Sequence, residues 1–221
     1  MPINPVILGL IYKAMPYFLQ KIQQSQGPKV QYQVLSNKDS ALLSIKRKDG
    51  AVILILGKRE SGKTVLSHRL AEFLGRPTYA VTPSQHPLSW IKKIELDEIE
   101  EVPPNSTILL DDVPVYMSSR DYSSVSVRAI EKLIPVARHK KIMLIFISQT
   151  SGFADRWVMD ADAIFLKQCS ILYADIERPA VKKLMDKAVP HFEGKSEDWI
   201  KKHVYLVTDS WEGLLEVKKV D

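Results

Sequence analysis

The chain has 221 residues, 45% of them hydrophobic, enough to build one substantial domain with its own core. Its formal charge is +5 and its pI about 9.1, a mild basic excess that permits nucleic acid as a partner without demanding it. A single cysteine, Cys169, excludes an intramolecular disulfide framework and a cysteine metal cluster, and fits a reducing, cytoplasmic setting.

The first apolar stretch, from Pro5 to Tyr12, is far shorter than the roughly 20 residues needed to cross a bilayer. With no positive residue before it and no small-residue cleavage site after it, it does not read as a signal peptide. Ile7, Leu8, Ile11, Met15, Phe18, Leu19 and Ile22 recur at helical spacing. That pattern predicts an amphipathic helix whose apolar side packs on its own domain or a neighbouring subunit, with a membrane surface reached through residues 5–22 as the alternative. Gly27-Pro28 breaks the pattern, dividing a helix and connector (1–28) from a main domain (29–221) with a C-terminal helix and hairpin extension.

In the main domain, 30–35 alternates apolar and polar residues like a strand, and 41–45 is a short element of ambiguous type. Strands are predicted over 51–56, 78–81, 107–110, 142–148 and 163–166, and helices over 63–74 and 124–137; 90–99 has no assigned type. Strands alternating with helices predict an α/β fold in three layers, with a mostly parallel central sheet covered on both faces. After Ser170 the pattern changes to a helix over 178–188, a polar bend, and a terminal hairpin pairing 203–207 with 214–217.

Directly after the apolar run 51–56 comes Gly57-Lys58-Arg59-Glu60-Ser61-Gly62-Lys63-Thr64, a complete G-x-x-x-x-G-K-[ST] loop. Such a loop binds nucleoside triphosphate through backbone chemistry. Its glycines let successive N–H groups turn inward around a phosphate, and the following helix presents its positive end there. Lys63 would reach the β- and γ-oxygens, and the Thr64 hydroxyl would ligate Mg²⁺. The helix closes at Gly75, with Pro77 just beyond.

The run Ser106 to Leu110 ends abruptly in Asp111 and Asp112. Two carboxylates closing a buried strand are costly unless they point into a site at the strand's C-terminal edge. Asp111 then holds Mg²⁺ together with Thr64, and Asp112 polarises an attacking water. The next apolar run, 142–148, presents Gln149 and Thr150 at its end, and the Gln149 amide is suited to sense the γ-phosphate or orient that water. Arg138, in Ala137-Arg138-His139-Lys140-Lys141, either offsets the helix end or serves a neighbouring subunit's nucleotide as an arginine finger, with Arg120 and Arg128 as rivals. The acidic cluster from Glu95 to Glu101 reads as a solvated face, and the five histidines lack metal-ligand spacing.

The set Gly57 to Thr64, Leu110-Asp111-Asp112, Arg138-His139 and Ile147-Ser148-Gln149 resembles the FtsK/HerA superfamily of P-loop motors, and most of all the genome-packaging ATPases of membrane-containing icosahedral viruses. The resemblance covers roughly residues 51–166. It implies an extra strand between the loop strand and the acidic strand, so that Gln149 sits beside the nucleotide. It also implies an ATP- and Mg²⁺-dependent motor, a homo-oligomeric ring threading double-stranded DNA, and a place in the host cytoplasm or the virion. The Asp-Asp pair, where many cellular members have Asp-Glu, points to the viral branch. An ATPase powering protein export or assembly at a membrane is the alternative; a nucleotide kinase would want an arginine-rich lid segment, and none is obvious.

Overall fold

Six consecutive apolar residues, Ala51–Leu56, form strand β1, and all six are buried. A strand apolar on both faces belongs inside a sheet with helices on each side. In the computed structural model, which describes residues 37–82, 88–111, 133–149, 160–169 and 179–217, β1 takes that place. With β2 (Thr78–Val81), β3 (Ile91–Lys93), β4 (Thr107–Asp111), β5 (Met143–Ser148), β6 (Ala163–Leu166), β7 (His203–Thr208) and β8 (Glu212–Glu216) it builds one eight-stranded sheet, in the order β3-β2-β4-β5-β1-β6-β7-β8. Strands β1 to β6 pair in parallel. The predicted terminal hairpin forms, and β7 joins it antiparallel to β6, so it is the far edge of the main sheet rather than an appendage. Strand β5 lies between β1 and β4, the extra-strand arrangement that the resemblance implied.

Alternate side chains of each strand face opposite sides, and this sorts the core in two. Ala51, Ile53 and Ile55, with Leu109, Ile145 and Phe165, pack against Ala41 and Ile45 of α1 (Asn37–Arg47) and Leu66, Leu70 and Leu74 of α2 (Lys63–Leu74). Val52, Leu54 and Leu56, with Leu110, Leu144 and Phe146, pack against Leu133, Ile134 and Ala137 of α3 (133–139) and Val181, Met185 and Phe192 of α4 (Pro179–Phe192). The result is the expected three-layer α/β/α architecture.

Two local expectations change. The ambiguous element 41–45 is the middle of α1, because Ala41 and Ile45, one turn apart, bury together. The polar bend before the hairpin is a short helix, α5 (Glu197–Lys202). Ser196 caps α5 by accepting the Trp199 N–H at 3.3 Å, and acidic residues open it while Lys201 and Lys202 close it, complementing its partial charges. The acidic cluster is partly spent on local structure: Glu95 and Glu98 form a capping box on a 3₁₀ turn (Leu96–Glu101). The predicted helix over 5–22, its connector and the strand over 30–35 lie outside the described residues. Among the described residues no helix is long and apolar enough to cross a membrane.

The amino-terminal edge of the sheet is tied by polar side chains. Arg76 donates to the carbonyls of Lys48, Asp49 and Lys141 at 2.8, 2.7 and 2.7 Å. The Asp162 carboxylate accepts from the Val52 N–H at 2.9 Å and from Lys48. Both anchors sit at the end away from the phosphate loop. Phe146, a large buried side chain at the centre of β5, tests the core between them. Phe146→Ala should destabilise the fold by about 3–5 kcal/mol, read as a lower midpoint in urea unfolding.

Candidate nucleotide-binding site

The loop leaves β1 at Gly57, where the chain passes so close to β6 that a Cβ would stand 2.6 Å from the Lys167 Cβ; only glycine fits. Two hydrogen bonds pin the passage: Lys167 N–H to the Leu56 carbonyl at 2.8 Å, and Lys58 N–H to the Gln168 carbonyl at 2.7 Å. The loop then curls on itself. The Lys58 carbonyl accepts from the Ser61 hydroxyl and from the Lys63 ammonium, both at 2.8 Å. Glu60 (φ 63°) and Gly62 (φ 89°) take left-handed conformations, of the kind from which anion-binding backbone concavities are built; for Glu60 this costs on the order of 1 kcal/mol. Gly62 caps α2 without a side-chain hydrogen bond, and the first turn of α2 carries no acidic residue. Its leading amides therefore meet no competing anion from their own helix, the condition for phosphate binding at a helix N-terminus.

Register brings the other expected groups to this edge. Ser148 pairs with Leu56, so Gln149, half-buried, stands one strand away at the level of Gly57. Asp111, half-buried at the end of β4, pairs with Ile147, which pairs with Ile55. It thus lies two strand spacings, about 10 Å, from β1. Thr64 is exposed on the first turn of α2. A hydroxyl and a carboxylate are hard oxygen donors of the kind Mg²⁺ prefers, so Thr64 and Asp111 fit that ion chemically. Lys63 is 9% exposed, whereas Lys58, Arg59 and Glu60 are open to solvent. Asp112, Arg120 and Arg128 lie outside the described residues.

Arg138 is not at this edge. It donates to the Asp160 carbonyl at 3.2 Å and lies 3.9 Å from the Asp162 carboxylate, beside the start of β1. The length of β1, about 20 Å, separates it from the loop, beyond the reach of an arginine side chain.

No family model matches the sequence, and no curated protein matches it either. Solved structures do. The B204 DNA-packaging ATPase of Sulfolobus Turreted Icosahedral Virus superposes with a TM-score of 0.54 at 14% identity, over 79% of this chain and 99% of that one. The fold is that of B204. The genome packaging NTPase B204 of Sulfolobus turreted icosahedral virus 2, solved in complex with ATP-gammaS, gives 0.53 at 14% identity, over 77% and 98% of the two chains. The cytoplasmic domain of the Thermomonospora curvata Type VII Secretion ATPase EccC gives 0.52 at 14% identity, covering 78% of this chain but 25% of its own. At such identities the likeness to B204 and EccC is one of fold, a three-layer P-loop NTPase.

One residue at the site escaped the sequence reading. Lys167 follows β6 and is fully buried. Its ammonium donates to the carbonyls of Ile200, Lys201 and His203 at 2.9, 2.9 and 2.6 Å. Burial pushes its pKa from 10.5 down to about 8. Its signal in the sequence is the same as at Asp111, a charge closing an apolar strand.

Two outcomes follow from this geometry. Gly57→Ala should weaken nucleotide binding by about tenfold or more and lower stability by about 1–3 kcal/mol, measured by calorimetry and urea unfolding. Between about pH 8 and 10 the folded state holds Lys167 neutral while the unfolded chain still binds that proton, so stability rises with pH across that window. Unfolding free energies of wild type minus Lys167→Met should show that rise, and a difference flat with pH would refute it.

Proposed function

We propose that this chain is a Mg²⁺-dependent ATPase motor of the FtsK/HerA kind that moves double-stranded DNA, as in viral genome packaging. The observation that carries the reading is the neighbouring of β1, β5 and β4, whose carboxyl ends bring Lys63, Gln149 and Asp111 to one edge beside a helix N-terminus without a side-chain cap. In this reading the loop amides and Lys63 bind the β- and γ-phosphates, Lys63 exchanging the Lys58 carbonyl for phosphate oxygen. Gln149 orients the attacking water, and Asp112 accepts its proton. Thr64 and Asp111 would hold Mg²⁺, which when bound would supply positive charge against the phosphate oxygens.

DNA is favoured over protein cargo by what the fold covers. The likeness spans 99% of the packaging ATPase B204 but 25% of the secretion ATPase EccC. The +5 charge agrees with a phosphate-backbone partner. The EccC likeness supports the second reading, an ATPase for export or assembly held at a membrane by residues 5–22; co-flotation with liposomes that disappears when residues 1–28 are removed would favour it.

Since Arg138 is remote from its own loop, its catalytic role in this reading is to complete the site of the next subunit in a ring. ATP hydrolysis should rise with protein concentration and with duplex DNA at low salt, and Lys63→Ala should lower turnover by about 10²-fold or more. Mixing Lys63→Ala with Arg138→Ala chains should restore part of the activity that each lacks alone, because some interfaces then carry both residues. Hydrolysis indifferent to DNA would overturn the translocase reading, and mixtures no more active than their components would remove Arg138.

A further inference from the structure

Lys167 spends all three of its ammonium N–H donors on backbone carbonyls at the carboxyl end of α5 and the start of β7. Those carbonyls lie close under the phosphate loop: the Lys201 oxygen is 3.4 Å and the Lys201 Cα 3.7 Å from where a Cβ on Gly62 would stand. The Lys167 stem runs along the same side, its Cβ 2.6 Å from where a Cβ on Gly57 would stand and its Cε 3.7 Å from the Gly62 side position. The underside of the loop thus rests on a helix end whose carbonyls are partially negative, an unfavourable neighbour for a bound polyanion. The platform is braced: the His203 ring stacks on Trp199 with centroids 3.6 Å apart, its Nδ1 lies 2.7 Å from the Trp199 carbonyl oxygen, and Trp199 meets Phe192 edge-on.

We propose that Lys167 is a positioning residue for the phosphate loop, propping it at Gly57 and Gly62 and neutralising the carbonyl end of α5, so that polyphosphate affinity depends on a side chain that never touches the ligand. The inference rests on the reading of Gly57 to Thr64 as a nucleotide site. It also gives the C-terminal segment, which the sequence resemblance left unexplained, a role in that site: α5 and β7 form the platform on which the loop sits.

The test uses ADP with Mg²⁺ as probe, its terminal phosphate fully charged above about pH 7. Affinity is measured by calorimetry from pH 7.5 to 9 on the full chain and on Lys167→Met, which keeps the stem and removes the charge. The wild type should bind, and the variant should bind about tenfold more weakly at pH 7.5. The wild-type advantage should shrink as the pH passes about 8, where burial sets the Lys167 ammonium to lose its proton. Ionisable groups on the surrounding elements are Lys58, Arg59, Glu60 and Lys63 on the loop, His68, Arg69 and Glu72 on α2, Cys169 just after Lys167, Glu197, Asp198, Lys201 and Lys202 on α5, and His203 and Tyr205 on β7. All are common to both proteins, so the difference between the two curves isolates Lys167. A purely structural role predicts a constant ratio across this range and would overturn the proposal, as would equal affinities. If Lys167→Met does not fold, Lys167→Gln, which keeps a donor on a shorter stem and removes the charge, takes its place in the same comparison, and equal affinities or a ratio constant with pH overturn the proposal. A wild type that binds no ADP defeats the nucleotide-site reading itself, a separate result from either.

Discussion

Everything at the site depends on the close passage of Gly57 beside the end of β6. A phosphate loop works through its backbone, so its shape must be imposed from outside: by the strand that launches it, the helix that ends it and whatever lies beneath. Here β1 is buried on both faces and hydrogen-bonded on both sides, and the pairing with the β6 side runs on through the Leu56 carbonyl, at the end of β1, and the Lys58 N–H, in the loop. The curl that follows, with Glu60 and Gly62 left-handed, is then set on a fixed base.

The sheet divides the labour of its two edges. At the amino edge, Arg76 and Asp162 spend their charges on backbone carbonyls, a backbone N–H and Lys48, holding turns together. At the carboxyl edge, parallel strands deliver one chemical group after another to the same line, as open α/β sheets do where ligands bind. The C-terminal hairpin, antiparallel and at the far edge, extends this sheet, and the helix before it closes the space under the loop.

The likeness to B204 and to EccC at 14% identity illustrates why fold and function need separate arguments. Strand order survives because burial asks only for apolar residues of about the right size at alternating positions, and many sequences satisfy that. The groups at the carboxyl edge are a different matter, since a lysine, an amide and a carboxylate at those strand ends are specific to chemistry.

Local signals carried a great deal. The loop, its strand and its helix were readable because glycine spacing and an unbroken apolar run are properties of contiguous residues, and β5 with Gln149 and β4 with Asp111 announced themselves likewise as apolar runs ending in polar groups. Helix α5 was hidden because six residues give too little periodicity to outweigh a polar composition. Strand order was beyond composition, periodicity and spacing, and entered the sequence reading only through a family resemblance. What tertiary structure alone decided is which distant segments meet. Arg138 went to the edge opposite the loop because α3 is placed by the packing of its face against the sheet, and Lys167 went under the loop because β6 pairs in parallel beside β1. A lysine 104 positions after Lys63 becomes part of the same site only once β6 lies beside β1 and α5 closes over its end, and no pattern of neighbouring residues encodes that meeting.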